Sequence, residues 1–325
     1  MSVFNLNPFL NINGVKFMYS EFYHEDEFLI RLHSKCYLFH QFAWNVEYDL
    51  HDFPWDLHKR ISRVNPLFPV KSNIIFCAPN SNVCDYINSK GYRSILLNHN
   101  CLLDWTLFKI STIKEYDAVI NSRPFWWKRV YLSEKIPNKA YLMAADWAKN
   151  SNSWSGWKNM IFSNIKSEAP FNEVVEIISK SKMGLILSGN TGENQQGRYE
   201  GANYSSMEYL LCGLPVLTTP NQGGRNFWLN NDNSVIAEPN LDSVFSAYKD
   251  ILNKIESGDF NGENIRDQNI AKMKLMRNNM NKEIDKILIE NGINYEFKDI
   301  FSRAYWHKFV DYTKSPSDAV AFINN

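Results

Sequence analysis

A chain of 325 residues that is 44% hydrophobic and 22% charged can bury a sizeable core, which excludes a disordered chain. At roughly 150 residues per domain, that length predicts two domains. Lys+Arg and Asp+Glu both total 35, so the net charge is zero and, local patches aside, there is no basic footprint for nucleic acid.

The cysteines are Cys36, Cys77, Cys84, Cys101 and Cys212, an odd number with no C-x-x-C pair. That spacing signals neither a zinc site nor a disulfide framework, and predicts buried free thiols in a reducing compartment. The start, MSVFNLNPFLNING, lacks a basic stretch followed by an apolar one, and no apolar run approaches the ~20 residues that span a bilayer. The expected location is cytoplasmic, with peripheral contact at the inner face of the cell membrane left open. Aromatic residues make up 14% of the chain and cluster at Phe125-Trp126-Trp127 and at Trp147, Trp154 and Trp157. Such rings are usually core or interface material, with ligand stacking the alternative.

Residues 21–60, rich in His, Phe, Tyr and Trp, read as helix with loops. From residue 72 the pattern changes to strand (NIIFCAP), helix (SNVCDYINSKGY, stopped by Gly91) and strand (RSILLNHN), the alternation of a parallel sheet. Further strands are expected at 117–124, 139–146, 159–164, 183–189, 214–219 and 233–239. Helices are expected from Trp126 to about Lys135 and at 170–182, 205–213, 241–258, 263–290 (long and polar) and 295–312. Two β/α blocks result, meeting near residue 117. Ligands in such sheets bind beyond the carboxyl ends of the strands.

The strand ends carry chemistry. Arg123 and Lys128 follow DAVIN, with Arg129 adjacent. Cations are not favoured by the dipole at a helix start, so they point to an anion nearby, with a solvated basic turn as the alternative. Glu200-Gly201-Ala202-Asn203-Tyr204-Ser205-Ser206 opens the helix that holds Glu208. Gly201 lets backbone approach a ligand, and the N–H groups of Ser205 and Ser206 can receive phosphate, or either serine can be a plain N-cap. Glu208 lies between apolar residues; it faces either solvent or the cleft, where it could accept hydrogen bonds from vicinal hydroxyls. NQGGRNFW (221–228) is a second glycine loop at a carboxyl edge. His99, with Asn100 and Asp104 close by, ends the strand RSILLNHN, and His40 reads as packed in an aromatic cluster.

EGANYSSMEYLLCGLPVLTT, with its Glu-x7-Glu spacing, resembles the donor domain of GT-B glycosyltransferases, and is most similar to the large retaining family 4. NSRPFWWKR, PFNEVVEIISKSKMGLILS and DNSVIAEPN resemble neighbouring family segments in the right order, over about residues 117–255. The resemblance implies an α/β fold of GT-B type: two Rossmann-like β/α/β domains facing a cleft, with a reduced N-terminal domain. The implied parts are an acceptor-side domain at 1–116, a donor-binding domain at 117–290, and a helix at 291–325 packing back toward the first domain. It further implies transfer of a sugar, with retention, from a UDP- or GDP-linked donor to a glycan or lipid-linked acceptor in surface polysaccharide or lipopolysaccharide synthesis.

By position, Arg123 and Lys128 with the amides of Tyr204, Ser205 and Ser206 would bind the diphosphate, and Glu208 the ribose. Glu200 and His99 would act at the transferred sugar, beside Gly201, Ala202 and Asn203, and 164–170 would line the base. No Asp-x-Asp metal motif occurs, and no metal or further cofactor is implied. The chain departs from the family where Gly-Phe-Gly is usual after the first Glu, here Gly-Ala-Asn, and where Lys-Gly is usual, here Lys128-Arg129. A GT-B nucleotide-sugar epimerase and a non-catalytic nucleotide- or glycan-binding domain are the competing readings.

Overall fold

The computed structural model describes residues 6–21, 36–41, 73–122, 126–143, 164–167, 171–189, 203–221, 224–295 and 321–322. Arg123, Glu200, Gly201 and Ala202, the Trp147–Trp157 cluster and the helix expected at 295–312 lie outside the described residues. The chain divides into two compact units, residues 1–104 with 272–325, and residues 105–271.

The first unit is built on a five-stranded sheet: β1 (Leu6–Ile12), β2 (Val15–Glu21), β3 (Tyr37–Gln41), β4 (Ile74–Ala78) and β5 (Ser94–Leu96), in that spatial order. β1 and β2 are antiparallel, and every later pairing is parallel. The hairpin turns on Asn13 and Gly14, at φ 48° and 86°. Both residues need the left-handed region, which Asn-Gly supplies at low cost. Where helix with loops was expected at 21–60, the described part, Tyr37–Gln41, is a strand. Leu38 and Phe39 are fully buried in the sheet, and Tyr37 stacks on Phe17 with ring centroids 5.7 Å apart. Large aromatics favour such a pleated, covered surface over a helix face.

Helix α1 (Ser81–Ser89) is capped by Asn80, whose Oδ1 accepts from Val83 N at 3.0 Å, and gives way to Gly91 at φ 80°. After β5, a 3-10 turn (His99–Leu102) is capped by Asn98. Arg277 clasps this turn, its Nε donating to the Cys101 carbonyl (2.7 Å) and its Nη2 to that of Leu103 (2.6 Å).

The second unit holds a six-stranded sheet: β6 (Tyr116–Asn121), β7 (Lys139–Met143), β8 (Asn164–Ser167), β9 (Ser181–Ile186), β10 (Val216–Thr218) and β11 (Ser234–Ile236). The spatial order is β11-β10-β9-β6-β7-β8, with all pairings parallel. Two wings wind outward from β6 and β9, so the order of the strands reverses between those two neighbours. This is the doubly wound arrangement, and the reversal opens a crevice at the strands' carboxyl ends. The helices are α2 (Phe171–Ser179), α3 (Tyr204–Leu211), α4 (Leu241–Ser257, ended by left-handed Gly258) and α5 (Gly262–Glu290).

Two expectations need correcting. The helix expected at 126–135 is a pair of 3-10 turns, Trp126–Lys128 and Val130–Ser133, split by Arg129 at φ 45° and ψ 37°. A left-handed residue cannot continue an α-helix. Residues 164–167, expected to start a base-lining loop, form edge strand β8. Helix α5 is polar in composition but not all round: Ile265, Met273, Met276, Met280, Ile284 and Ile287 are buried at helical spacing.

All five cysteines are free, and burial pushes the Cys101 and Cys212 thiols up to about 12, which leaves them unreactive. No described helix is long and apolar enough to cross a membrane.

Candidate functional site

The second unit carries a pocket at its switch point. Asn121 and Ser122 line it from the end of β6, Leu187 and Ser188 from beyond β9, and Lys128 and Asn203 close it. Two residues singled out in the sequence, Lys128 and Asn203, therefore share one concavity although they lie far apart in the chain.

Asn121 organises the wall. Its N–H donates to Tyr209 Oη (2.6 Å), its carbonyl accepts from Ser205 Oγ (2.7 Å), and its side-chain amide donates to Glu208 Oε2 (2.7 Å). One strand-end residue thus orients helix α3 along just over one turn. The helix can come this close because β9 has Gly184 beneath it, where a Cβ would sit 2.0 Å from the Tyr209 ring.

Glu208 is buried at 3% exposure, so the solvent-facing alternative is excluded. Burial pushes its carboxyl up to about 7, against the opposing pull of the Asn121 amide. No described residue donates to its other carboxylate oxygen. The group is therefore half satisfied and sits behind a pocket-lining residue.

The start of α3 corrects the N-cap reading of the serines. Asn203 is the N-cap and makes no side-chain capping bond. Ser205 Oγ is drawn away to the Asn121 carbonyl, and Ser206 Oγ donates back to the Asn203 carbonyl at 2.7 Å. Neither hydroxyl takes up an amide of the first turn; the Ser206 N–H donates to the Asn203 carbonyl at 3.3 Å, so the helix start is closed by backbone and not by a side chain. His99 belongs to the first unit, buried in the turn after β5.

Two buried arginines stand at the ends of β9 and β10. Arg129 is 1% exposed; its Nε donates to the Leu187 carbonyl (2.7 Å) and its Nη2 to Thr219 Oγ1 (2.7 Å). Its Nη1 is buried and meets no acceptor among the described residues. Arg225 is fully buried and donates to the carbonyls of Ser188 (3.2 Å) and Thr219 (3.0 Å). Burial, helped by the nearby Arg129 charge, pulls the Arg225 guanidinium down to about 9, still charged at neutral pH.

Asn121 and Arg225 were missed in the sequence. Asn121 read as the last letter of a strand, and Arg225 as part of a flexible glycine loop; the described part, Gly224–Phe227, is instead a 3-10 turn. A polar residue closing an apolar strand beside the expected anion site was the available signal for Asn121.

No protein-family model matches the chain, and no curated protein matches it. Solved structures do. Sucrose-phosphate synthase from Thermosynechococcus elongatus superposes with a TM-score of 0.57 at 14% identity, covering 81% of this chain and 71% of the synthase. HepE of Anabaena, in complex with UDP-glucose, gives 0.55 at 13% identity over 81% and 74%. The fold is GT-B. TarM of S. aureus, in complex with UDP among other ligands, gives 0.51 at 15% identity, and its match spans 82% of this chain but only 51% of TarM. The GT-B likeness at these identities concerns the fold, and the chemistry rests on the residues at the switch point.

Proposed function

We propose that this chain is a glycosyltransferase that takes a nucleotide-diphosphate sugar into the switch-point pocket. The observation that carries this is the buried Glu208, held by Asn121, which lines the same pocket as Lys128. A carboxylate with one free oxygen suits the vicinal hydroxyls of a ribose. Lys128, in the same pocket as a helix start without a side-chain cap, suits a diphosphate.

In the proposed reaction Glu208 accepts from the ribose. Lys128 and Arg123, with the amides of Tyr204, Ser205 and Ser206, hold the diphosphate. Negative charge grows on that group as the glycosidic bond breaks, and fixed cations and N–H dipoles stabilise it without rearranging. In this reading no metal takes part. Glu200, beside Gly201, Ala202 and Asn203, faces the transferred sugar, and His99 acts on the acceptor side. Retention of anomeric configuration, a glycan or lipid-linked acceptor, a role in surface polysaccharide synthesis and a cytoplasmic or membrane-peripheral location complete the proposal. They rest on the family resemblance of residues 117–255.

The nucleotide in the HepE and TarM complexes makes UDP the first to test. Calorimetric titration with UDP, GDP, ADP and CMP should give one binder. Glu208→Gln should weaken that binder about tenfold, the cost of a charge-assisted hydrogen bond. Unchanged affinity in the variant would sink the ribose assignment. Turnover of one sugar nucleotide by the wild type, abolished in Glu200→Ala, supports transfer, whereas binding without turnover under any acceptor supports a binding domain.

A further inference from the structure

Arg129 occupies a backbone position that disfavours it. Its φ of 45° lies in the left-handed region, where glycine is at ease and a long side chain is strained. Its side chain is buried among neutral acceptors, Leu187 O and Thr219 Oγ1, and Nη1 has no acceptor among the described residues. Among the described residues no carboxylate pairs with it. Burying a guanidinium in this way is costly, and local strain adds to the cost. Such a residue persists when something else over-determines it.

The position of the charge supplies the reason. Lys128 and Val130, on either side of Arg129, line the pocket, as do Leu187, which accepts from its Nε, and Ser188, which accepts from Arg225. Thr219 joins the two arginines: its hydroxyl accepts from Arg129 and its carbonyl from Arg225. Gly189 lies so close over Arg129 that a Cβ there would be 2.7 Å from Nη2. The guanidinium therefore stands directly behind the pocket wall, shielded from water but not from the field of an anion inside.

We infer that Arg129, buttressed by Arg225 through Thr219, is a positioning residue that makes the pocket select ligands by the number of their negative charges. It touches no ligand. It fixes the strand-end carbonyls of the wall, and its positive field favours a diphosphate over a monophosphate across a low-dielectric layer, where charge is screened weakly. The inference rests on the donor-site reading above.

The test is calorimetric titration of the full chain with the nucleoside, nucleoside monophosphate and nucleoside diphosphate of uridine, guanosine, adenosine and cytidine. Arg129→Gly relieves the left-handed strain and removes the charge; Arg129→Lys keeps the charge. For whichever base binds, Arg129→Gly should lose about tenfold or more in diphosphate affinity while the nucleoside stays within about twofold, and Arg129→Lys should recover most of the loss. A parallel fall for all three ligands would show a purely structural role and overturn the inference, as would an unchanged preference for diphosphate. If Arg129→Gly does not fold by circular dichroism, Arg129→Gln, neutral but still a donor, is compared with Arg129→Lys on the same readout. If none of the four diphosphates binds the wild type, the donor-site reading falls and takes this inference with it; if one binds and the preference survives, this inference alone falls.

Discussion

Glu208 couples the site to protons. Its carboxyl sits at an ordinary 4.5 when unfolded and at about 7 in the folded chain. Between those values the folded state keeps a proton that the unfolded state has lost, so this residue's contribution to stability falls as pH rises through that window. At about 1.4 kcal/mol per pH unit the loss is about 3 kcal/mol. Urea unfolding of the wild type should show a decline between pH 5 and pH 7 that Glu208→Gln lacks; parallel curves would refute the assignment. Ligand binding should run the other way, because ribose hydroxyls donate best to the charged form. Affinity should rise from about pH 6 to about pH 8, with proton release visible as a buffer-dependent binding enthalpy. Asn121→Ala removes the donor that favours the carboxylate. It should push the Glu208 titration higher and weaken nucleotide binding at neutral pH, and titration of both variants against pH checks this.

Among the elements, the α3–β9 contact is the most exposed to test. Gly184→Ala would drive a methyl into the Tyr209 ring. Overpacking of this kind costs about 1–3 kcal/mol and would lift α3 off Asn121. Both the unfolding midpoint and nucleotide affinity should drop, and a variant of wild-type stability would contradict the packing. The second sheet was legible in the sequence because its strands are short apolar runs separated by polar helices, and because the strand ends carry the charges. The hairpin of β1 and β2 has its own signal in the sequence as well: Asn13-Gly14 between alternating apolar residues is among the strongest hairpin patterns. The strand Tyr37–Gln41 was harder, since its aromatics fit a helix face as well as a sheet until Phe17 and Phe76 are seen beside it. At the candidate site, residue types singled out Lys128 and Glu208. The roles of Asn121, Arg129 and Arg225 depend on which strand ends become neighbours, and a linear pattern does not contain that.

For the whole molecule, the proposed nucleotide pocket lies within the second unit. A nucleotide at a hundred times its dissociation constant should add about 2.7 kcal/mol to that unit. Hydrogen exchange should then slow most in β6, β9 and α3, and less in β1 to β5; the reverse ranking would place the ligand elsewhere. Helix α5 runs 29 residues without a break, and the division between the units falls inside it, after Ala271. That sets an order on synthesis. All of the second unit has been synthesised by residue 271, whereas the first unit, begun earlier, still lacks Arg277 for its Cys101 turn and Met280, Ile284 and Ile287 for its core. The unit begun first is therefore the last to be completed, and must wait, incomplete, for residues made after the whole of the second unit.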